Sequence, residues 1–491
     1  MSSSRNDDIR AALATMPSDH DAAGEYRPTV EQIFTPEQHA NALDPNTPVV
    51  VGSRGTGKSF WAGVLEQEAT RDVASIAYPN IGLSGLVVRS GYTGFASEGA
   101  VTAKVIDARV PQGKERDVGT DFWQAVIIRA ARSVLDPSAL DESIRDVMQS
   151  LTDPEEAAME LRRLDRKIAA AQKTLLVTFD AIDTWSNDWR RSSALTDALF
   201  EVVWSLRALS AVKAKVFIRP EQLNDEALKF VEMPKLRSGR VQLEWSLVDL
   251  YGLLYWRLSE SIQENGEAAF AQLVEEEGAR IPMDPVARRR DWSLLLDRRA
   301  QERVMTRLAG PFMGKSNKKG KTYEWPYKHL ADAKGEVTPR SFIKLFVEAA
   351  KFGSDRADLA LTVEGIRHGL REASKVRVDQ LVVEYKWVKR ALAPLAGLTV
   401  PCEASQIYRR WADSNTLNVI RRVSSDPESG FLPPFPFVVK SEADEDQRLV
   451  QAMERIGVFS YRSDGRVDMP DLFRVAARML KKGGVAPNVS M

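Results

Sequence analysis

The sequence is poor in the residues that build metal centres and covalent cross-links. A single cysteine, Cys402, stands in 491 residues, which excludes an internal disulfide framework and a four-cysteine zinc site; the expectation is a buried structural thiol in a reducing cytosol. The four histidines, His20, His39, His329 and His368, are scattered without ligand spacing, which argues against a histidine-based metal centre. Net charge is also missing: 68 basic residues balance 68 acidic ones. No global field therefore announces nucleic acid or an anionic membrane, and any such contact has to be local. No apolar run approaches membrane-spanning length, and the opening Met-Ser-Ser-Ser-Arg-Asn-Asp-Asp has no apolar core of a signal peptide. The expectation is a soluble, cytoplasmic protein with no membrane partner, divided into about two to four domains.

Against these absences one stretch stands out. Residues 48–65 read Pro-Val-Val-Val, then Gly-Ser-Arg-Gly-Thr-Gly-Lys-Ser, then Phe-Trp-Ala-Gly-Val-Leu. The valines predict a short buried parallel strand, and the last segment predicts a helix. Gly52, Gly57, Lys58 and Ser59 fit the G-x-x-x-x-G-K-[ST] pattern, in which glycines let backbone N–H groups close on phosphate oxygens. In that pattern the lysine reaches the β- and γ-phosphates and the hydroxyl ligates magnesium. The dipole of the helix opening at Lys58 serves the same anion site. The predicted ligand is ATP with Mg²⁺, held by Gly52, Ser53, Arg54, Gly55, Thr56, Gly57, Lys58, Ser59 and Phe60.

The rest of the chain alternates strand and helix. Strands are predicted at 73–78, 86–89, 101–107, 174–179, 214–218 and 241–245, and helices at 117–135, 153–172, 192–209 and 249–258. Such alternation implies a parallel α/β sheet with its ligands off the carboxyl ends of the strands. Gly57, Asp180 and Arg219 all fall at such ends. Phe34 and His39, just before the first strand, either contact the adenine base or simply pack.

Phosphoryl transfer to water needs phosphate positioning, magnesium, a group that orients the attacking water and positive charge for the transition state. Lys58 and Ser59 serve the first two. Asp180, ending an apolar strand, has the Walker B position for Mg²⁺, through a bound water or through Ser59. Asp183 is the nearest carboxylate able to orient water, unless it only caps the next turn. Arg219 ends the strand expected beside Asp180 and points to the γ-phosphate, or else is solvated.

The set Gly-Ser-Arg-Gly-Thr-Gly-Lys-Ser, Phe-Asp-Ala-Ile-Asp-Thr-Trp, Val-Phe-Ile-Arg-Pro-Glu and Leu-Glu-Trp with Asp249-Leu250 resembles the STAND and KAP-like branch of the AAA+-related P-loop ATPases. The likeness spans roughly 33–346. Where many hydrolysing AAA+ proteins carry glutamate, this chain has Ala181, which puts the usual catalytic base in doubt. Thr338-Pro339-Arg340 resembles the start of an AAA+ helical lid, which makes Arg340 a sensor-2-like arginine. What the resemblance implies is an ATP-hydrolysing switch or motor in a homo-oligomer. For bacterial relatives this is often the sensor or regulatory ATPase of a defence system against phage, beside a separate effector protein. No effector motif is visible in the chain.

The expected architecture is an α/β, parallel-sheet P-loop NTPase domain with a helical lid and a C-terminal winged-helix-like domain. Its boundaries are a flexible N-terminal arm (1–28), which is either mobile or a short peripheral helix, the ATPase domain (29–268), a charged helical insertion with a basic loop (269–335), the lid (336–396) and the winged-helix-like domain (397–491). Lys315, Lys318, Lys319 and Lys321 in the basic loop, and Arg462 and Arg466 in the hairpin of the last domain, are the candidate contacts to DNA or RNA. Charge runs are also ordinary solvated faces, and winged helices also bind protein. Tyr323, Trp325 and Tyr327 either stack on bases or fill the lid seam. Three readings stand: an oligomeric ATPase switch, a DNA-binding AAA+ protein of initiator or loader type, and a nucleotide-binding scaffold that scarcely hydrolyses.

Overall fold

Three β-branched residues in a row, Val49–Val51 (β1), are stiff and extended, and the two-residue period of a strand sends Val49 and Val51 to one face and Val50 to the other. Both faces are covered. Val49 and Val51 share a core with Val177, Phe179, Val216 and Ile218. Val50 packs with Trp61, Leu65, Val88, Leu176 and Phe217 on the opposite side. This double burial is why β1 reads as a continuous apolar run rather than an alternating one.

In the computed structural model, which describes residues 4–18, 27–186, 188–224, 228–261, 263, 265–353, 358–424 and 445–487, the chain folds as two units. They are Asp21–Glu244, and Met1–His20 together with Trp245–Met491. The first holds β1, β2 (Leu86–Tyr92), β3 (Thr174–Phe179), β4 (Val212–Ile218) and β5 (Val241–Gln242), all parallel, in the spatial order β2-β3-β4-β1-β5. Helices Glu115–Leu135, Pro154–Ala170 and Trp189–Ser205 supply apolar side chains to the core shared with Val49 and Val51. The helix Lys58–Glu66 packs on the other face.

Two predicted strands are helices instead. Residues 73–77 fall in the helix Glu68–Ala77, with Tyr78 just past its end, and Thr70 and Ala74, four apart, are its buried positions. Residues 101–107 fall largely in the helix Ala103–Arg109, which buries Ile106. Short β-branched runs do not distinguish the two structures, and here one-sided burial favours the helical period.

The other unit is mainly helical. Arg5–Thr15 is a helix whose Ile9, Ala12 and Leu13 form a buried stripe at helical spacing. Arg10 anchors it by donating to the carbonyls of Ala360 at 2.9 Å and Leu359 at 3.0 Å. Helices Pro339–Lys351 and Val363–Glu384 press together at Gly369, where a Cβ would lie 2.1 Å from Leu345 O. Tyr323 is 1% exposed and stacks on Tyr251 at 4.3 Å, with its hydroxyl donating to Gln301 Oε1, so it fills the seam rather than facing a base. Trp325 stacks on His329.

Towards the C-terminus two helices, Ala404–Asp413 and Thr416–Ser424, are parted at Asn415 with φ 51°. A hairpin pairs Ser460–Tyr461 with Val467–Asp468, and the helix after it is only Asp471–Arg474. Cys402 is buried, and burial pushes its thiol up to about 11. The proline-rich segment 432–436 lies outside the described residues. Among the described residues no helix is long and apolar enough to cross a membrane.

Candidate functional site

The site forms where β1, β4 and β3 end side by side. Because the strands are parallel, their carboxyl ends share one edge of the sheet, and β4 between β1 and β3 sets Arg219 between the glycine loop and Asp180. Gly52 extends the β1–β4 pairing, donating to Ile218 O at 3.1 Å. A side chain there is excluded, since a Cβ would lie 2.4 Å from Thr56 Oγ1, which itself donates to Ser53 O at 2.8 Å. Gly57 caps the helix Lys58–Glu66 at φ +108°, a conformation costly to any other residue. The remaining loop residues, Arg54, Gly55 and Phe60, are half-buried.

Lys58 donates from Nζ to Gly52 O at 2.7 Å and Ser53 O at 3.3 Å. Burial, and then the Arg219 guanidinium, push its pKa down, while Asp180, Asp183 and Glu221 pull it back. A buried ammonium beside a second cation is a site short of negative charge, which is what a polyphosphate supplies.

Asp180 is 6% exposed, and burial raises its pKa; hydrogen bonds from the Ser59 hydroxyl and the Ala181 N–H, and the charge of Lys58, act in the opposite sense. Its Oδ1 is buried with no hydrogen-bond partner among the described residues. An orphaned carboxylate oxygen next to a hydroxyl is a hard oxygen donor set that fits Mg²⁺, with Asp180 and Ser59 as the residues that would hold it. Bound there, the ion would neutralise charge on the β- and γ-phosphate oxygens.

Asp183 does not stand alone as a turn cap. Its Oδ2 accepts from Arg219 Nη2 at 2.6 Å, joining a residue after β3 to the residue that follows β4. The turn that delivers it is strained: Ala181 is left-handed at φ 52°, which costs an L-residue about 1–2 kcal/mol. The Thr184 hydroxyl and N–H both hold the Ala181 carbonyl, at 2.7 and 2.9 Å.

The structure thus brings together Lys58, Ser59, Asp180, Asp183 and Arg219. Arg340 lies in the other unit, in the first turn of the helix Pro339–Lys351. Lys315, Lys318, Lys319 and Lys321 are exposed, with Lys321 paired to Glu302 at 2.6 Å. In the hairpin Arg466 pairs with Asp464 at 2.7 Å and Arg462 with Asp468 at 3.7 Å.

His39 is fully buried, so it packs rather than meeting a base. Its Nδ1 accepts from Trp61 Nε1 at 3.1 Å, which leaves Nε2–H to donate to Glu244 O at 2.9 Å. Phe34 is likewise buried.

Two carboxylates at the site were not apparent from the sequence. Glu66, at the far end of the helix that Lys58 opens, accepts from Ser90 Oγ at 2.6 Å and Thr178 Oγ1 at 3.3 Å. Burial pushes its pKa up, and Asp180 adds to the rise. Glu221 acts on Lys58 from just beyond Arg219. The only signal for Glu66 is a carboxylate closing an otherwise apolar helix; for Glu221 it is a charge placed after a strand end.

Fold and site together define an α/β P-loop NTPase domain joined to a helical region. The chain matches no protein-family model and no curated protein. Among solved structures it is similar to the Aeropyrum pernix ORC2 protein (ADPNP-ADP complexes), at 13% identity over 91% of this chain and 92% of that one, with a TM-score of 0.32. It is also similar to Cdc6p from Pyrobaculum aerophilum, at 12% identity over 94% of this chain and 93% of that one, with a TM-score of 0.27.

Proposed function

We propose that the protein is an ATP-hydrolysing P-loop ATPase of AAA+ type that works as a nucleotide-dependent switch in a homo-oligomer. The observation that carries this reading is the convergence of Lys58, the Ser59–Asp180 pair and the Asp183–Arg219 pair at one edge of the sheet. Lys58 and the loop N–H groups hold the phosphates. The oxygen of an attacking water bonds to the γ-phosphorus as the bond to the β-phosphate oxygen breaks; ADP leaves with the electron pair, and Asp183 accepts the water's proton. Arg219, released from Asp183 or shared with it, offsets the charge that develops on the γ-phosphate. Arg340 is the residue we assign to read the γ-phosphate from the lid.

A second reading is a DNA-binding AAA+ protein of initiator or loader type, favoured by the exposed lysines 315, 318, 319 and 321 and by the two-arginine hairpin as the wing of a winged helix. The pairing of Arg462 and Arg466 with acids of their own hairpin weighs against that wing. A defence role beside a separate effector rests on the sequence resemblance alone. The test is native mass with and without ATP, and with duplex DNA, on wild type and Lys58→Ala. ATP-driven assembly of wild type alone, unchanged by DNA, supports the switch; assembly only on DNA supports the loader; neither, with ATP tightly bound, leaves a scaffold.

A further inference from the structure

The chain lacks a glutamate after Asp180, and the local backbone points to a reason. At φ 52° the Ala181 side chain is turned towards the loop that follows β2: a Cβ built on Gly94 would come within 3.0 Å of both Ala181 Cβ and Thr184 Oγ1. Tyr92, the last residue of β2, holds the same turn. Thr184 spends its one hydroxyl hydrogen on Ala181 O, so at 2.9 Å the Tyr92 hydroxyl is the donor to Thr184 Oγ1. Asp180 N donates to Tyr92 O at 2.8 Å, which fixes the start of the turn to the same residue. Behind these atoms Tyr92 is 1% exposed and stacks edge-on against Trp185. Burial also holds its phenol above the ordinary value, so it remains a donor.

Resting on the ATPase reading, we propose that Tyr92 and Thr184 are positioning residues for hydrolysis: they lock residue 181 in the left-handed conformation, which takes its side chain out of the reaction and delivers Asp183 to Arg219 in its place. The turn then acts as a selector of which carboxylate serves the water. A glutamate restored at position 181 would grow into the space beside Gly94 and could not replace Asp183. The lock works through hydroxyls, so its loss shows in turnover rather than in ATP affinity.

The test compares steady-state ATP hydrolysis and equilibrium ATP binding in wild type, Lys58→Ala, Thr184→Val, Thr184→Ser, Tyr92→Phe, Asp183→Asn, and Asp183→Asn combined with Ala181→Glu. The expected result is a kcat lowered at least tenfold in Thr184→Val and several-fold in Tyr92→Phe, with Kd for ATP within twofold of wild type. Thr184→Ser should recover most of kcat, and Ala181→Glu should restore nothing to Asp183→Asn. Wild-type kcat in Thr184→Val, or turnover regained by the Ala181→Glu double variant, overturns the selector while leaving the ATPase reading intact. Wild-type turnover no higher than that of Lys58→Ala overturns both.

Discussion

Replacing Asp183 by asparagine keeps the size and one acceptor oxygen of the side chain and removes only its charge and its ability to take a proton. The ion pair it breaks is short, 2.6 Å, between an arginine side chain 12% exposed and an aspartate 31% exposed. At an effective dielectric of about 20 two unit charges at that separation attract by roughly 6 kcal/mol. Desolvation of the arginine and screening at the half-open carboxylate cancel most of this, leaving about 1–2 kcal/mol, the range of a charge-assisted hydrogen bond. The fold of a large α/β core survives a loss of that size, so the variant can be assayed directly. Turnover should fall by about 10² to 10⁴, the usual contribution of a positioned general base. ATP affinity should stay the same or improve, because Asp183 is one of the negative charges acting on the lysine that meets the phosphates. Phosphate release under saturating ATP gives kcat, and equilibrium binding of a labelled nucleotide gives Kd. A kcat within twofold of wild type, or a Kd weakened tenfold, would refute the assignment: the first removes the base, and the second makes Asp183 a structural support of the loop.

Other consequences follow from buried groups. Burial takes Lys215 from 10.5 to about 7, with Nζ held by the carbonyls of Asp44 and Thr47. Its folded value lies below its unfolded one, so the unfolded chain binds the proton more tightly; the destabilisation is full below pH 7 and is relieved as pH rises towards 10.5. Wild type should therefore gain urea resistance between pH 7 and 10 relative to Lys215→Met, by at most about 4 kcal/mol; parallel pH profiles for the two proteins would show that Lys215 is not the cause. Trp61→Phe leaves the buried Nδ1 of His39 without its donor, and thermal unfolding should report a loss of about 1–3 kcal/mol; no loss would mean that the ring finds another partner. Because Arg462 and Arg466 already pair with Asp468 and Asp464, replacing both by alanine should leave affinity for duplex DNA within twofold in fluorescence anisotropy. A tenfold drop with a shallower salt slope would instead support a wing on DNA.

The parts legible in the sequence are those written in consecutive residues. The glycine loop, the apolar strand ending at Asp180 and the strand ending at Arg219 each carry their own local pattern, and strand-helix alternation was enough to give a parallel sheet. What stayed hidden depends on strand order and on turns. Asp183 and Arg219 are far apart in the chain and meet only because β4 lies beside β3, a pairing no local period encodes. The left-handed turn at Ala181 is invisible in a residue type that normally avoids it. Glu66 meets Ser90 and Thr178 only through the packing of its helix across β2 and β3. His39 looked available to a ligand, yet both ring nitrogens are taken by Trp61 and Glu244. The helices at 68–77 and 103–109 were misread because a few β-branched residues in a short run carry no decisive period.

The most direct test of the central claim is ATP hydrolysis by the purified chain beside its Lys58→Ala variant, with ATP binding measured on both. The account predicts turnover and binding in wild type, with both lost together when the lysine that bridges the loop carbonyls is removed. Equal turnover in the two proteins, or wild type that neither binds nor hydrolyses ATP, would contradict it.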